Sequence, residues 1–358
     1  MSIWRWAHAF DSVPEQFRIS LGEGNTPLIR SEKIGPQAGL SQLYFKLEMA
    51  NPTGSFKDRF GVAAISHMRA SGKTVCLATS SGNTGSSLAA CCAKAGIPCK
   101  IAVVETAPEG KLKQMRAYGA EILRVRKFGL DPDVTQRGFD LLRERAKQPE
   151  VSLQVSSFIY SAPGMSGVQT ISYELAEQSK QPIDHVFCQS GGGGMCLAVA
   201  RGFQWLVDNG QLAKSPAIEC VQPEGNDTMA GPLRDGLQKA RPVNCTTKIS
   251  GLQVANVNDG DMVVTACRAS GGTGHLVNDQ EVWAAQRRLA REEGIFSEPA
   301  GATALAGILR AAKQGFFQPH AVIVCLITSI GFKDEDSIGR LVEDVPINLI
   351  DVDDLAKA

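Results

Sequence analysis

The chain has 358 residues, 43% of them hydrophobic, and its 37 Lys and Arg balance 37 Asp and Glu. That apolar content suits a full globular core and excludes a disordered chain. Zero net charge argues against broad attraction to nucleic acid or to a membrane.

The length is enough for two domains or one large α/β domain. The first six residues, MSIWRW, hold no apolar signal-peptide core, so no secretory signal is expected. Apolar runs predict strands over Leu43–Leu47, Thr74–Ala78, Cys99–Val104, Glu121–Val125, His185–Cys188, Ile218–Gln222 and Ala321–Ile327. Helix-like stretches lie between them at Ser86–Ala95, Lys111–Tyr118, Val168–Gln178, Met195–Val207 and Asp279–Glu293. Such alternation implies βαβ units and mostly parallel sheets, with ligands at the carboxyl ends of the strands. Residues 126–154 are polar and charged and read as a domain edge rather than core. The longest strong apolar run, Ala321–Ile327, is far too short to span a bilayer. A soluble, cytoplasmic protein is expected. Ten scattered cysteines, several inside apolar stretches, read as buried thiols and not as a disulfide framework. Five histidines and no clustered Cys/His spacing predict no structural zinc site.

Loops that follow or precede these elements carry the chemistry. In Asn51-Pro52-Thr53-Gly54-Ser55-Phe56-Lys57-Asp58-Arg59-Phe60 a turn runs into a helix, and a lysine stands where the turn ends. A helix N-terminus favours negative charge, so a cation there is misplaced unless its amine has a task. Burial and the helix dipole both lower a lysine pKa, which Schiff-base chemistry needs. Taken alone, a lysine at a helix start is more often a solvated surface residue. Ala78-Thr79-Ser80-Ser81-Gly82-Asn83-Thr84-Gly85 follows a strand and opens an Ala-rich helix. Hydroxyls and free N–H groups there suit a carboxylate or phosphate, although simple capping explains part of the pattern. Gln189-Ser190-Gly191-Gly192-Gly193-Gly194-Met195 lets backbone N–H groups close on a phosphate. It is neither a P-loop nor a dinucleotide fingerprint. Cys325–Asp334 ends the last strand with a hydroxyl pair and then a lysine.

In order and spacing these loops resemble the fold-type II pyridoxal-phosphate enzymes of the tryptophan synthase beta superfamily, specifically the threonine synthase branch. Glu23–Leu28 resembles the family's early loop, Asn51–Arg59 its lysine motif and Ser80–Gly85 its substrate-carboxylate loop. Pro108–Leu112 and Tyr118–Ala120 resemble its next helix and turn, and Gly191–Gly194 its cofactor phosphate loop. Glu293–Ala302 is similar to the late motif shared with serine and threonine dehydratases. Thr328–Asp334 stands where the family ends in Thr-Gly-x-Gly-Leu-Lys-Asp, with Ser329 and Phe332 substituted. The resemblance implies two three-layer αβα domains with mostly parallel twisted sheets and pyridoxal 5'-phosphate (PLP) at their interface. A large PLP-binding domain would comprise residues 1–59 and 160–358, and a smaller mobile domain residues 60–159 with the substrate-carboxylate loop.

The same resemblance assigns roles. Lys57 would hold the cofactor covalently and shuttle the α-proton, and Phe56 would pack near the ring. Asn83 would bond the ring's 3′-oxygen. Ser80, Ser81, Gly82 and Thr84 would grip the substrate carboxylate. Gly191, Gly192, Gly193 and Gly194 would hold the cofactor phosphate, and Thr328 would meet the pyridine nitrogen. A hydroxyl there makes the ring a weaker electron sink, which favours elimination and replacement over transamination. The reaction implied is conversion of O-phosphohomoserine to threonine and phosphate by a lyase of amino-acid biosynthesis. A small amino-acid substrate and a homodimer are expected, with no nucleic-acid, membrane or metal partner. The family's substrate-phosphate arginine has no counterpart, because the matching stretch is Ser161–Thr170 with Met165 near that place. Lys333 is left as the phosphate contact, with Lys111 or Arg59 as helpers. The alternatives are a serine/threonine dehydratase, a β-replacement synthase of the cysteate synthase type, or a cofactor-binding regulatory protein without turnover. Retention of Lys57, Asn83 and Thr328 argues against the last. Residues 335–358 suffice for a short helix and a tail, so no separate regulatory domain is expected after the last strand.

Overall fold

The computed structural model describes every residue except 1, 81, 108, 255, 256 and 358. Ser81 and Pro108, both singled out above, therefore lie outside the described residues. The chain starts with β1 (Leu28–Arg30), α1 (Ile34–Gln37) and β2 (Leu43–Lys46). Helix α2 (Lys57–Ala70) leads into β3 (Val75–Thr79), α3 (Asn83–Ala95), β4 (Cys99–Val103) and α4 (Glu109–Ala117). There follow β5 (Glu121–Arg124), α5 (Pro132–Arg145), β6 (Val151–Gln154), α6 (Phe158–Ser166) and α7 (Thr170–Gln178). The last part comprises β7 (His185–Gln189), α8 (Gly194–Asp208), β8 (Ala217–Pro223), α9 (Ala230–Arg234), α10 (Gly260–Ala269) and β9 (Gly274–Val277). It closes with α11 (Asp279–Glu293), α12 (Pro299–Lys313), β10 (Ile323–Leu326) and α13 (Glu335–Val342).

Two sheets result. One has six strands in the order β1-β2-β10-β7-β8-β9, and the other has four in the order β5-β4-β3-β6. Among the described strands only the β1–β2 pair is antiparallel. The long apolar run near the C-terminus becomes β10, whose four residues are all buried, between β2 and β7. A parallel strand covered on both faces reads as a continuous apolar run for that reason. Its side chains alternate: Ile323 and Cys325 pack with Val282, Leu289 and Leu305 of α11 and α12. Val324 and Leu326 join the core of Leu197 and Phe203 of α8, which runs on through α2 to Cys76 and Ile101 of the second sheet. Helix α2 is thus shared. It approaches α3 closely because residue 61 is glycine; a Cβ there would stand 2.3 Å from Ser87 Oγ.

The seven expected strands are present, with ends shifted by at most two residues. Three short strands went unforeseen: β1, β6 and β9. Residues 126–154, read as an edge rather than core, are largely exposed or half-buried, and their strand β6 forms an edge of the four-stranded sheet. The segment contains a helix, α5, and a paired strand, β6, in which Val151 is fully buried and lies opposite Val75. All ten cysteines are free, nine of them buried and Cys245 half-buried. Among the described residues no helix is long and apolar enough to cross a membrane.

Candidate active site

The loops singled out above meet where β3, β7 and β10 end and α2, α3 and α8 begin. The turn before α2 is built by its own polar residues. Gly54 N–H bonds to Asn51 O at 2.8 Å, and the Asn51 amide donates to Glu48 O at 2.8 Å. Asp58, buried in the first turn of α2, accepts from Thr53 N–H and Thr53 Oγ1, both at 2.7 Å. An acid at a helix start is the favourable arrangement, so Asp58 fastens the turn. Arg59 turns inward. Its guanidinium, fully buried, grips Glu48 and Glu174, each at 2.7 Å, and bonds to Thr170 at 2.9 Å. Lys46 bonds to the same Glu174 at 2.7 Å. Arg59 is therefore spoken for, which corrects its reading as a helper for a substrate phosphate.

Lys57 alone of the three faces the meeting point. Its Nζ donates to Ser156 Oγ at 2.7 Å and lies 4.6 Å from the centre of the Phe56 ring. Ser156 Oγ in turn contacts Thr84 Oγ1 at 2.9 Å. Burial lowers the Lys57 ammonium to about 8, against the opposing pull of the Asp259 carboxylate. Asp259 is itself held by Ser157 Oγ (2.8 Å) and by the N–H groups of Phe158 (2.9 Å) and Ile159 (3.2 Å).

Two long helices point uncapped N-termini here. Neither α3 nor α8 has a side-chain cap. Among the described residues, the N–H groups of Asn83, Thr84 and Gly85, and of Gly191 to Gly194, donate to no partner. Free N–H groups and the positive dipole end make each an anion site. Gly193 has φ +86°, and a Cβ on it would lie 2.6 Å from Val263, so only glycine fits. A Cβ on Gly194 would lie 3.1 Å from Ser156 O, which sets this loop beside the Lys57 contact. Ser80 Oγ accepts from Gly82 N–H at 3.2 Å, and nothing stands within 4 Å of a Cβ built on Gly82.

Thr328 Oγ1 accepts from Gln189 Nε2 at 2.8 Å, and Thr328 O accepts from Phe56 N–H at 3.1 Å. Gln189 Oε1 and Ser190 Oγ are buried without a hydrogen-bond partner. The Asn83 amide donates to Glu298 Oε1 at 2.9 Å, and the Ser329 hydroxyl also bonds to Glu298. Burial raises the Glu298 carboxyl above its usual range. Lys333 bonds to Gln114 Oε1 of α4, and burial lowers its ammonium, while Glu298 and Asp58 oppose the shift. Lys111, also on α4, bonds to Ser250 Oγ and stands 4.0 Å from Asp334. Met165, in place of the expected arginine, is fully buried against Gly194.

The described residues among those foreseen therefore gather in one region. Ser156, Asp259 and Gln114 were missed. Ser156 follows the unforeseen β6, and Asp259 caps α6 from a hundred residues away, so local pattern carries no trace of either. Gln189 and Glu298 lay inside motifs already noted. The set can hold a phosphorylated pyridine cofactor: free N–H groups for its phosphate, an amine of lowered pKa for its aldehyde, and a hydroxyl for its ring nitrogen.

Comparison with known proteins points the same way. The profile of the family described as "Pyridoxal-phosphate dependent enzyme" matches residues 19–329. The threonine synthase of Methanocaldococcus jannaschii is 32% identical over 352 residues, covering 98% of this chain and 84% of that protein. The threonine synthase of Bacillus sp. is 33% identical over 320 residues, covering 89% and 86%. Among solved structures, threonine deaminase isoform 2 from Solanum lycopersicum superposes with a TM-score of 0.76 at 22% identity, over 96% of this chain and 94% of that one. Maize serine racemase gives 0.72 at 24% identity, over 96% and 97%. These last two share the fold.

Proposed function

The chain belongs to the pyridoxal-phosphate-dependent enzymes of fold type II, is threonine synthase-like, and from that premise we propose that it converts O-phosphohomoserine and water to threonine and phosphate. The supporting observation is a count of anion sites. The proposed substrate and cofactor together carry one carboxylate and two phosphates. The uncapped starts of α3 and α8 supply two attractive positions; for the third we propose Lys333 with Lys111, whose amines bond to Gln114 and Ser250 and would turn to the substrate phosphate. A dehydratase acting on serine or threonine has no use for the third. Two lysines without a bidentate guanidinium hold a phosphate by charge more than by geometry. Met165 is the observation that keeps the dehydratase and β-replacement alternatives in view.

When bound, PLP supplies the electron sink that makes the substrate's α-proton removable. Lys57 would carry the cofactor and move protons to and from substrate carbon, helped by its lowered pKa. Ser156 and Phe56 orient its amine. Gly191 to Gly194 would hold the cofactor phosphate, Asn83 its 3′-oxygen and Thr328 its ring nitrogen. Ser80, Ser81, Gly82 and Thr84 bind the substrate carboxylate, and Lys333 with Lys111 binds the substrate phosphate. We also propose the domain division at 59/60 and 159/160, a homodimer and a cytoplasmic location. The 59/60 boundary falls inside α2, consistent with a helix shared by both sheets.

The deciding experiment offers the purified protein O-phosphohomoserine, L-serine and L-threonine in parallel. Phosphate and threonine from the first substrate are expected. Ammonia and an oxo-acid from serine or threonine alone would replace this reading with the dehydratase.

A further inference from the structure

We propose that Cys76, Cys92 and Cys99 form a binding site for monovalent copper, a soft cation of low coordination number. Cys76 of β3 and Cys99 of β4 are direct partners in the parallel ladder, so they leave the same face of the sheet. Helix α3 covers that face, and Cys92 lies in its last turns. A tight turn then returns the chain to β4: Gly96 takes φ +68°, and Ile97 N–H bonds to Cys92 O at 3.0 Å. The three sulfurs lie within 4.8 Å of one another. Cys76 and Cys92 have no exposed surface, and Cys99 has 6%.

The geometry suits one shared ion. Three sulfurs each about 2.3 Å from a metal stand about 4 Å apart in a trigonal plane, so little rearrangement is needed. Closed zinc sites take four ligands, and among the described residues no fourth His, Cys, Asp or Glu joins this set. A soft sulfur triad selects Cu(I) instead. Binding is ligand exchange. Copper–sulfur bonds form, bonds to the delivering chelator break, each coordinating thiol releases its proton to water, and copper remains Cu(I). The ion would tie together the strand that ends at Thr79 and the helix that begins at Asn83, without entering the proposed reaction. A second thiol group, in which Cys196 and Cys267 sulfurs are 3.4 Å apart, forms no such triangle among the described residues and serves as a control.

The test uses reduced, PLP-loaded protein, kept anaerobic and titrated with Cu(I) held by a competing chromogenic chelator. The parent protein and Cys196→Ala are each expected to withdraw one equivalent per chain, and the double variant Cys92→Ala/Cys99→Ala none. X-ray absorption at the copper edge of the loaded parent should count three sulfur neighbours, a readout that stands even if the double variant misfolds. Failure to withdraw copper, equal uptake by the folded double variant, or nitrogen and oxygen neighbours overturns the proposal.

Discussion

Burial lowers the Lys57 ammonium to about 8, and that shift has a consequence for the protein without cofactor. Where the folded pKa lies below the unfolded value of about 10.4, the folded state resists carrying the proton. The resulting destabilisation is fully present below about pH 8 and disappears as pH rises toward the unfolded value. Lys57→Met, freed of cofactor, is therefore expected to be more stable than the parent at pH 7, on the order of 1–2 kcal/mol after allowance for solvent screening. The gain should vanish near pH 10, as followed by denaturant unfolding at each pH; an equal gain at all pH values would show a packing effect instead. The same substitution should remove the visible absorption of the bound cofactor. The neighbouring Arg59 offers the opposite case. Arg59→Met strands the buried carboxylates of Glu48 and Glu174 and should cost about 3–5 kcal/mol in denaturant unfolding. Two basic residues, two positions apart, are indistinguishable by pattern, yet one faces the site and the other is structural. Only contacts with Ser156 and with Glu174, both about a hundred residues on, tell them apart.

At the level of elements, glycine at 193 is the sharpest constraint. Gly193→Ala would need a positive φ and would press a methyl group against Val263 and Met229. The loop must shift, so PLP affinity is expected to fall at least tenfold, read by titration of the cofactor-free protein, while far-ultraviolet dichroism stays unchanged. Legibility in the sequence follows local signals closely. Helix α11 was foreseen at its observed limits, Asp279–Glu293, since Asn278 and Glu281 form a capping box and Gly294 ends it at φ +69°. Strands β1, β6 and β9 were missed because each, LIR, VSLQ and GHLV, holds only two apolar residues, too few for a run or a period to emerge. The cysteine triad was invisible for a related reason: register, not spacing, brings Cys76 beside Cys99. The glycine-rich and Ser-Gly-Asn-Thr loops, by contrast, declared themselves through residue types that only special backbone or exposed N–H groups require.

For the whole molecule, acid should be the weak direction. Burial pushes the Glu219 carboxyl up, but hydrogen bonds from His185 and His275 outweigh it and leave it below the ordinary range. Glu174 is likewise raised by burial and driven far lower by Arg59 and Lys46. Carboxylates depressed in the folded state contribute stability above their unfolded pKa, about 4.3, and lose it as pH falls through the folded value. The protein is expected to keep its stability down to about pH 5 and to lose it steeply below about pH 4. Glu219→Gln should flatten that loss, measured by thermal unfolding from pH 7 to 3; an unchanged acid limb would remove Glu219 from the account. The four-stranded sheet draws all its strands from residues 75–154, whereas β10 must slot between β2 and β7. During synthesis, then, the smaller sheet can assemble as soon as it leaves the ribosome. The larger one waits with two open edges until residues 323–326 emerge. A ribosome stalled short of that strand would hold a half-finished enzyme whose sticky edges invite chaperones or aggregation.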